Sequence, residues 1–349
     1  MIEDTEQSIL HTRGSAVSRF YAERCVIPWA DDRNWYSDPN PSMTVTHDDT
    51  IYVQTSDGHT VMRTRDGGRS WDDLQVGRPI NAVLRDGTFL AAEFEESGRI
   101  VVRRSTDLGQ SWAELGGIVR SPTAQIGVIE QLRGGSLIIP IGITTSAAIG
   151  PEIVHSFRST DGGATWSSGT PICPGREPHI LELQSDKLLA FCRNNPRISP
   201  DDLQQPFRNE GTWLFWQRFG GHGGLSSYTK RMTLAESDDG GGVQLPDGLV
   251  VFIHTHRGPA YRGGERAKVS RDEGRTWEDE IYFLTASPSY PGYSANCVLP
   301  PHLADGEPGM ILTVVGERSE GKWGSEGLAT SEGFKYMPKL QAIRWRPMD

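Results

Sequence analysis

Apolar residues along this chain occur in short runs, and the recurring order is an apolar run, a turn rich in Asp and Gly, and a second apolar run. A unit of this kind is typical of a β-hairpin, because Asp and Gly favour tight turns between short strands. The unit recurs at residues 44–53, 82–92, 127–141, 180–191, 243–253 and 295–315. The pattern therefore predicts an all-β chain built from six similar hairpins.

A second pattern, Ser/Thr-x-Asp-x-Gly-x-Ser/Thr-Trp, is the Asp box, and it occurs at residues 64–71, 105–112, 159–166 and 270–277. In each copy we expect the Asp to accept hydrogen bonds from its own turn, the Gly to adopt a positive φ and the Trp to pack between sheets. The long gap between the third and fourth copies leaves room for one degenerate repeat. Hairpins and boxes together predict a six-bladed β-propeller with four-stranded antiparallel blades.

Composition supports a single domain of this kind. The chain has 40 Gly and 22 Pro among 349 residues, which suits many short strands and leaves little room for helices. No Pro/Ser linker or run of charge divides it, so we expect one propeller domain over residues 1–349. Residues 1–40 precede the regular units, and a strand near residues 19–28 is expected to help close the ring.

The charge balance argues against several classes of partner. The formal net charge is −10, which is not the basic footprint of a nucleic-acid binder.

The most apolar stretch, residues 135–150, is interrupted by Pro140 and polar residues, so no membrane span is predicted. The acidic N-terminus lacks the apolar region of a signal peptide, and a cytoplasmic location is expected, with secretion as the alternative if a leader was removed.

No cofactor is predicted. The cysteines are widely spaced without a C-x-x-C pair and are expected to be buried thiols; they are Cys25, Cys173, Cys192 and Cys297. His254 and His256 would lie on one face of a strand and could begin a metal site, but two ligands do not complete one.

Charged residues at the ends of the predicted inner strands carry a resemblance to a known family. Glu177 begins an inner strand and Arg193 ends the same hairpin, while Arg262 precedes the fourth Asp box, with Arg257 and Arg266 as alternatives. With the Asp boxes, this order resembles the sialidase (exo-α-sialidase, neuraminidase) superfamily of six-bladed Asp-box (BNR) propellers. The resemblance extends over nearly the whole chain.

The resemblance also implies a nucleophile. Tyr293, followed by Ser294, matches the nucleophilic Tyr that opens the last blade, with Tyr290 as the alternative, and Glu317 matches a Glu after that blade's hairpin. A neutral Tyr avoids the repulsion that an anionic nucleophile meets at a sugar carboxylate, and Glu177 would take its proton. Arginines would bind the carboxylate of the sugar.

The first blade departs from the family pattern. Members carry an Arg-Ile-Pro motif where this chain has Asp-Pro-Asn-Pro-Ser-Met at residues 38–43, so one carboxylate-binding arginine is missing. The acid/base Asp is expected after the next hairpin, where Asp57 is the best match, with Asp31 and Asp32 as alternatives.

These residues predict an exo-acting glycoside hydrolase that cleaves a terminal acidic, sialic-acid-like sugar from a glycan, with no nucleic-acid or membrane partner. Two alternatives stay open. In a uronate-directed polysaccharide lyase, His256, His254 or Tyr293 would remove a proton. In a non-catalytic glycan-binding propeller, only the fold and part of the pocket would be kept.

Overall fold

The computed structural model describes residues 8–27, 42–54, 60–120, 124–144, 152–174, 176–193, 212–218, 230–231, 237–256, 264–285, 294–318 and 338–348. All regular elements in these ranges are β-strands, and they form six antiparallel sheets. Across the same ranges no helix has the length and apolar character needed to cross a membrane.

The first three strands precede the repeating units and are β1 Ser8–Arg13, β2 Ala16–Tyr21 and β3 Glu23–Ile27. Sheet 1 contains β4 Ser42–Val45, β5 Ile51–Gln54, β6 Thr60–Thr64 and β7 Asp72–Gln75. Sheet 2 contains β8 Ala82–Val83, β9 Phe89–Phe94, β10 Arg99–Ser105 and β11 Ala113–Arg120. Sheet 3 contains β12 Ala124–Ile126, β13 Glu130–Gln131, β14 Leu137–Thr144, β15 Glu152–Ser159 and β16 Thr170–Pro174.

Sheet 4 contains β17 Arg176–Glu182, β18 Lys187–Arg193, β19 Thr212–Arg218 and β20 Lys230–Arg231. Sheet 5 contains β21 Ser237–Gln244, β22 Val250–His256, β23 Gly264–Ser270 and β24 Glu280–Phe283, and the β1–β2 hairpin extends it by pairing with β24. Sheet 6 contains β25 Ser294–Val298, β26 Ile311–Arg318 and β27 Pro338–Trp345, with β3 as its outer strand. An all-β propeller with four-stranded antiparallel blades is thereby confirmed.

Two sheets have more strands than the repeat predicts. In sheet 3, β12 and β13 both pair with β14, so they are two pieces of one interrupted first strand. In sheet 5 the additional β1–β2 hairpin is fixed by His11, whose Nε2 lies 3.0 Å from the buried Glu280 carboxylate and whose Nδ1 lies 2.9 Å from Ser18 Oγ. The sequence did not predict this hairpin.

The Asp boxes form the turns between the third and fourth strands, as predicted. In the box at 105–112, Ser105 Oγ donates to Asp107 at 2.7 Å and accepts the Gly109 N–H at 2.8 Å, while Trp112 Nε1 donates to the Gly109 carbonyl. Gly109 has φ +83°, a value that favours glycine. Hydrogen bonds, first from Ser105 and then from Ser111, lower the pKa of Asp107 to about 2. Each box therefore stabilises its own turn.

The box tryptophans also contribute to the cores between sheets. Trp112 packs with Tyr52, Val83 and Phe89 between sheets 1 and 2, and Trp166 packs in the cluster between sheets 2 and 3. Apolar side chains thus fill the space between adjacent sheets, which is how a propeller buries both faces of each sheet.

An N-terminal strand and the last strand of the chain meet in sheet 6, where β3 pairs with β27. Arg344 of β27 is 2% exposed, and it donates to the carbonyl of Gly67 at 2.7 Å and to that of Leu303 at 2.9 Å. Its Nε lies 2.8 Å from Glu23 of β3, and its Nη2 lies 2.9 Å from Asp305. One guanidinium therefore joins the N-terminal strand, the C-terminal strand and the first Asp box.

We expect Arg344→Leu to lower the free energy of unfolding by about 2–3 kcal/mol, because it leaves buried carbonyl groups without their donor. The matched control is Arg346→Leu, whose exposed pair with Glu307 is worth less than about 1 kcal/mol. Urea unfolding followed by tryptophan fluorescence measures both, and equal effects of the two variants would contradict this role of Arg344.

Candidate functional site

The strand order places the candidate residues at one end of the sheets. In each sheet the first strand begins where the antiparallel second strand ends, and we call this the start end. The opposite end, called the hairpin end, carries the turn between these two strands and the Asp box. Glu177 is the second residue of β17, Arg193 is the last of β18, and Glu317 is next to last in β26. Their backbone positions therefore share the start end, although their side chains lie outside the described residues.

The remaining predicted residues lie outside the described residues altogether: Tyr293, Asp57, Arg257, Arg262 and the alternatives Tyr290, Asp31 and Asp32. In the sequence Tyr293 immediately precedes β25 and Arg257 immediately follows β22. Arg266 is described, and its guanidinium lies 4.9 Å from the ring centre of Phe283 in the outer strand β24. This contact places Arg266 away from the first strands.

A cavity of about 320 Å³ lies where the first strands of the six sheets converge. Residues from or next to all six strands line it, among them Ser42, Arg85, Glu130, His179, Gly241 and Asn296. Gly241 lies beside His179, and a Cβ at this position would be 3.4 Å from the imidazole. The cavity is the space around which the sheets are arranged.

At the hairpin end, hydrogen bonds between adjacent sheets occupy the polar groups of the cavity. The Arg85 N–H donates to Gln131 Oε1 at 2.8 Å, and the same bond is repeated one sheet further by Arg133 to Glu182 at 2.6 Å. A third copy joins Gln184 N–H to Gln244 Oε1 at 2.6 Å. These hydrogen bonds connect sheets 2 to 5, and the polar groups that form them have a structural role.

Toward the start end, buried polar atoms have no hydrogen-bond partner in the described part of the chain. They are Ser42 Oγ, both amide atoms of Gln54, His179 Nε2 and Asn296 Oδ1. Ser42 and Gln54 are directly opposite each other in the β4–β5 pair and are 7% and 1% exposed. Because unpaired buried polar groups are costly, such a set indicates a place that water or a polar ligand completes.

Burial shifts the pKa values of two ionisable groups in the cavity. Desolvation raises the pKa of Glu130 to about 7, against a smaller lowering by Arg85. Desolvation also lowers the pKa of His179 to about 4, so its imidazole is neutral at pH 7. The neutral imidazole of His179 is suited to hydrogen bonding with hydroxyl groups.

A metal site is not supported where the structure is described. In those ranges no three His, Cys, Asp or Glu side chains are grouped as metal ligands. His254 is 2% exposed and stacks on Phe252 with ring centres 4.9 Å apart, which is a core contact. Cys25 and Cys297 are free thiols with pKa values raised by burial, while the side chains of Cys173, Cys192 and His256 are outside the described residues.

The sequence analysis missed Ser42, Gln54, His179 and Asn296. His179 stands in the same Arg-Glu-Pro-His segment as Glu177, and polar residues in otherwise apolar inner strands were a usable signal. That they lack partners was not visible, because a partner in a propeller comes from another sheet.

Glu130 predicts a pH dependence of stability. A carboxyl whose pKa rises from 4.5 to about 7 on folding holds its proton more tightly when folded, so its contribution is present below pH 4.5 and is lost as pH rises through about 7. We expect Glu130→Gln to melt at a higher temperature than the parent above pH 7 and to differ less below pH 5. Calorimetry measures this, with exposed Glu96→Gln as control, and an identical pH profile in parent and Glu130→Gln would contradict it.

Solved structures share this fold at low sequence identity. A protein of unknown function from Dyadobacter fermentans aligns with TM-score 0.60 and 14% identity, over 96% of this chain and 98% of its own. An α-L-arabinofuranosidase from Fusarium graminearum, in complex with an iminosugar inhibitor, gives 0.57 and 13% over 93% and 98%. Trypanosoma rangeli sialidase in complex with the inhibitor DANA gives 0.53 and 13% over 93% and 59%.

No curated protein matches this chain. The family described as the BNR repeat-like domain matches residues 88–298, which is more than half of the chain and contains three of its four Asp boxes. The resemblance to sialidase-like BNR propellers is therefore confirmed, and the chain belongs to the BNR repeat-like domain family.

Proposed function

We propose that this protein is an exo-acting glycoside hydrolase whose six sheets act as the six blades of one ring, with the active site at the start end of the cavity. The observation that carries the proposal is the asymmetry of the cavity: polar groups at its hairpin end are paired between sheets, whereas Ser42 Oγ, His179 Nε2 and Asn296 Oδ1 in its lining have no partner in the described part of the chain. The backbone positions of Glu177, Arg193 and Glu317 also lie at the start end. Glycosidases among the structures of similar fold support the same class.

In the proposed reaction Tyr293 attacks the anomeric carbon and forms a covalent glycosyl-enzyme intermediate. Glu177 takes the phenol proton as the C–O bond to the enzyme forms, and Asp57 protonates the departing glycosidic oxygen. The same Asp then removes a proton from a water that attacks the anomeric carbon, and the tyrosyl C–O bond breaks as Glu177 returns its proton to the Tyr293 oxygen. Each group is needed because a neutral phenol is a poor nucleophile and an alkoxide is a poor leaving group.

The proposal favours a terminal acidic sugar, whose carboxylate Arg193 and Arg262 would bind. Arg257 would be a further cation, and Glu317 would orient an arginine. Bidentate contacts between guanidinium and carboxylate fix the ring at the reacting centre. The first sheet would contact the uncharged part of this sugar through Ser42.

A neutral terminal sugar is the second candidate, and the pair Ser42 and Gln54 favours it. Both residues are uncharged and buried with unpaired polar atoms, in the sheet where the sialidase resemblance calls for an arginine. Hydroxyl groups of a neutral sugar would satisfy these atoms, whereas a carboxylate gains more from a cation.

The test is the release of 4-methylumbelliferone from a panel of conjugates that includes N-acetylneuraminic acid, Kdo, glucuronic acid and α-L-arabinofuranose. We expect turnover of at least one conjugate and a fall in kcat of roughly 10²–10⁴-fold in Tyr293→Phe and in Glu177→Gln. Tyr21→Phe is the matched control, because Tyr21 is 72% exposed on the β1–β2 hairpin, and it should keep full activity.

The pattern of turnover separates the candidates. Turnover of acidic conjugates supports the first candidate, and turnover of neutral conjugates alone supports the second. Full activity in Tyr293→Phe would refute the assigned nucleophile. An unsaturated sugar product, lighter than the hydrolysed sugar by one water, would indicate elimination, and ligand-induced stabilisation without any product would indicate a binding protein.

A further inference from the structure

A buried carboxylate occupies a position that is apolar in two other sheets. Glu265 in β23 is 0% exposed and lies five residues before the Ser that opens the fourth Asp box. The same position before the second and third boxes is held by Ile100 and Val154, which are also 0% exposed. Burial of a carboxylate is costly where an aliphatic side chain would fit, so Glu265 has a role beyond filling the core.

The Glu265 carboxylate reaches from sheet 5 to the first strand of sheet 6. Its Oε1 accepts a hydrogen bond from Ser294 Oγ at 2.5 Å, and Ser294 is the first residue of β25. Ser294 Oγ in turn accepts the Asn296 Nδ2 amide at 3.2 Å, and Asn296 lines the cavity. A continuous chain of hydrogen bonds therefore runs from Glu265 to the cavity wall.

The backbone of Glu265 is held as firmly as its side chain. Its N–H donates to Thr285 Oγ1 at 2.9 Å, and its carbonyl accepts the N–H of Leu284 at 2.9 Å. The carboxylate is thus presented from a fixed point on sheet 5. A fixed acceptor can hold Ser294 in one position, whereas an acceptor on a loose segment could not.

We propose that Glu265 is a positioning residue that fixes Ser294 and, through it, the start of β25 to which Tyr293 is joined. The inference rests on the proposed function, in which Tyr293 is the nucleophile. Because attack requires the reacting atoms within a few tenths of an ångström of the productive geometry, loosening this strand start slows the chemical step more than it weakens sugar binding.

The experiment compares Glu265→Ile, which installs the side chain found in sheet 2, with Glu265→Gln, whose amide oxygen can still accept the Ser294 hydrogen bond. We expect Glu265→Ile to remain folded and to lose about 10- to 100-fold in kcat with less than about threefold change in KM. Glu265→Gln should recover most of that loss. The matched control is Glu280→Gln, a second buried carboxylate at the hairpin end of the same sheet, which should lose stability and keep kcat.

Hydrogen–deuterium exchange supplies a readout that needs no activity. In Glu265→Ile the amides of residues 294–298 should exchange faster, while those of β4 and β17 stay unchanged. Unchanged exchange at 294–298, or full kcat in a folded Glu265→Ile protein, would overturn the inference. If the parent cleaves no conjugate, the proposed function fails by itself, and the exchange data still decide whether Glu265 holds the strand.

Discussion

The fold depends on the closure of a ring, because sheets that pack face to face in a circle expose an apolar face if any neighbour is missing. Closure here is a contact between an N-terminal strand and the last strand of the chain, the pairing of β3 with β27. Arg344 strengthens it from a buried position by bridging Glu23, Asp305 and the first Asp box. The guanidinium suits this place, since its fork of donors serves two carbonyls and two carboxylates at once.

Ring closure also gives the central cavity its two unlike ends. At the hairpin end, Arg85, Arg133 and Gln184 each donate a backbone N–H to a side chain of the next sheet. At the equivalent places in sheets 5 and 6 the donor is replaced by Pro246 and Pro300, which have no N–H. The facing acceptors are replaced as well, by the valines Val298 and Val45. For the donors of sheets 2 to 6, donor and acceptor side chain are thus present together or absent together. In sheet 1 the facing residue is Val83, and His47 donates its N–H to the backbone carbonyl of Arg85 at 2.7 Å instead, so this end serves structure. Toward the start end, Ser42, Gln54, His179 and Asn296 keep polar atoms without a partner in the described ranges, which is why the active site is proposed there.

Sequence patterns were sufficient for the parts of the fold that are local. The Asp boxes and the inner hairpins were predicted correctly, because turn residues and hydrogen bonds within eight residues determine them. The β1–β2 hairpin and the interrupted first strand of sheet 3 were not predicted, since their pairing with β24 and β14 is decided by distant residues. For the candidate site, strand order placed Glu177, Arg193 and Glu317 at one end. The unpaired state of Gln54 required the neighbouring sheets.

Three buried charged groups show how a repeat protein distinguishes structure from function. Arg344 binds the carboxylates of Glu23 and Asp305, and Glu280 is bonded to His11 beside the added hairpin, so both stabilise junctions that occur once in the ring. Glu265 lies at no such junction, because the equivalent positions of sheets 2 and 3 are filled by the buried Ile100 and Val154. A repeat provides its own comparison: where one copy replaces an aliphatic side chain by a carboxylate, the fold did not require the change. The carboxylate then has a role that the repeat does not require, and one group that it holds is Ser294, which lines the cavity.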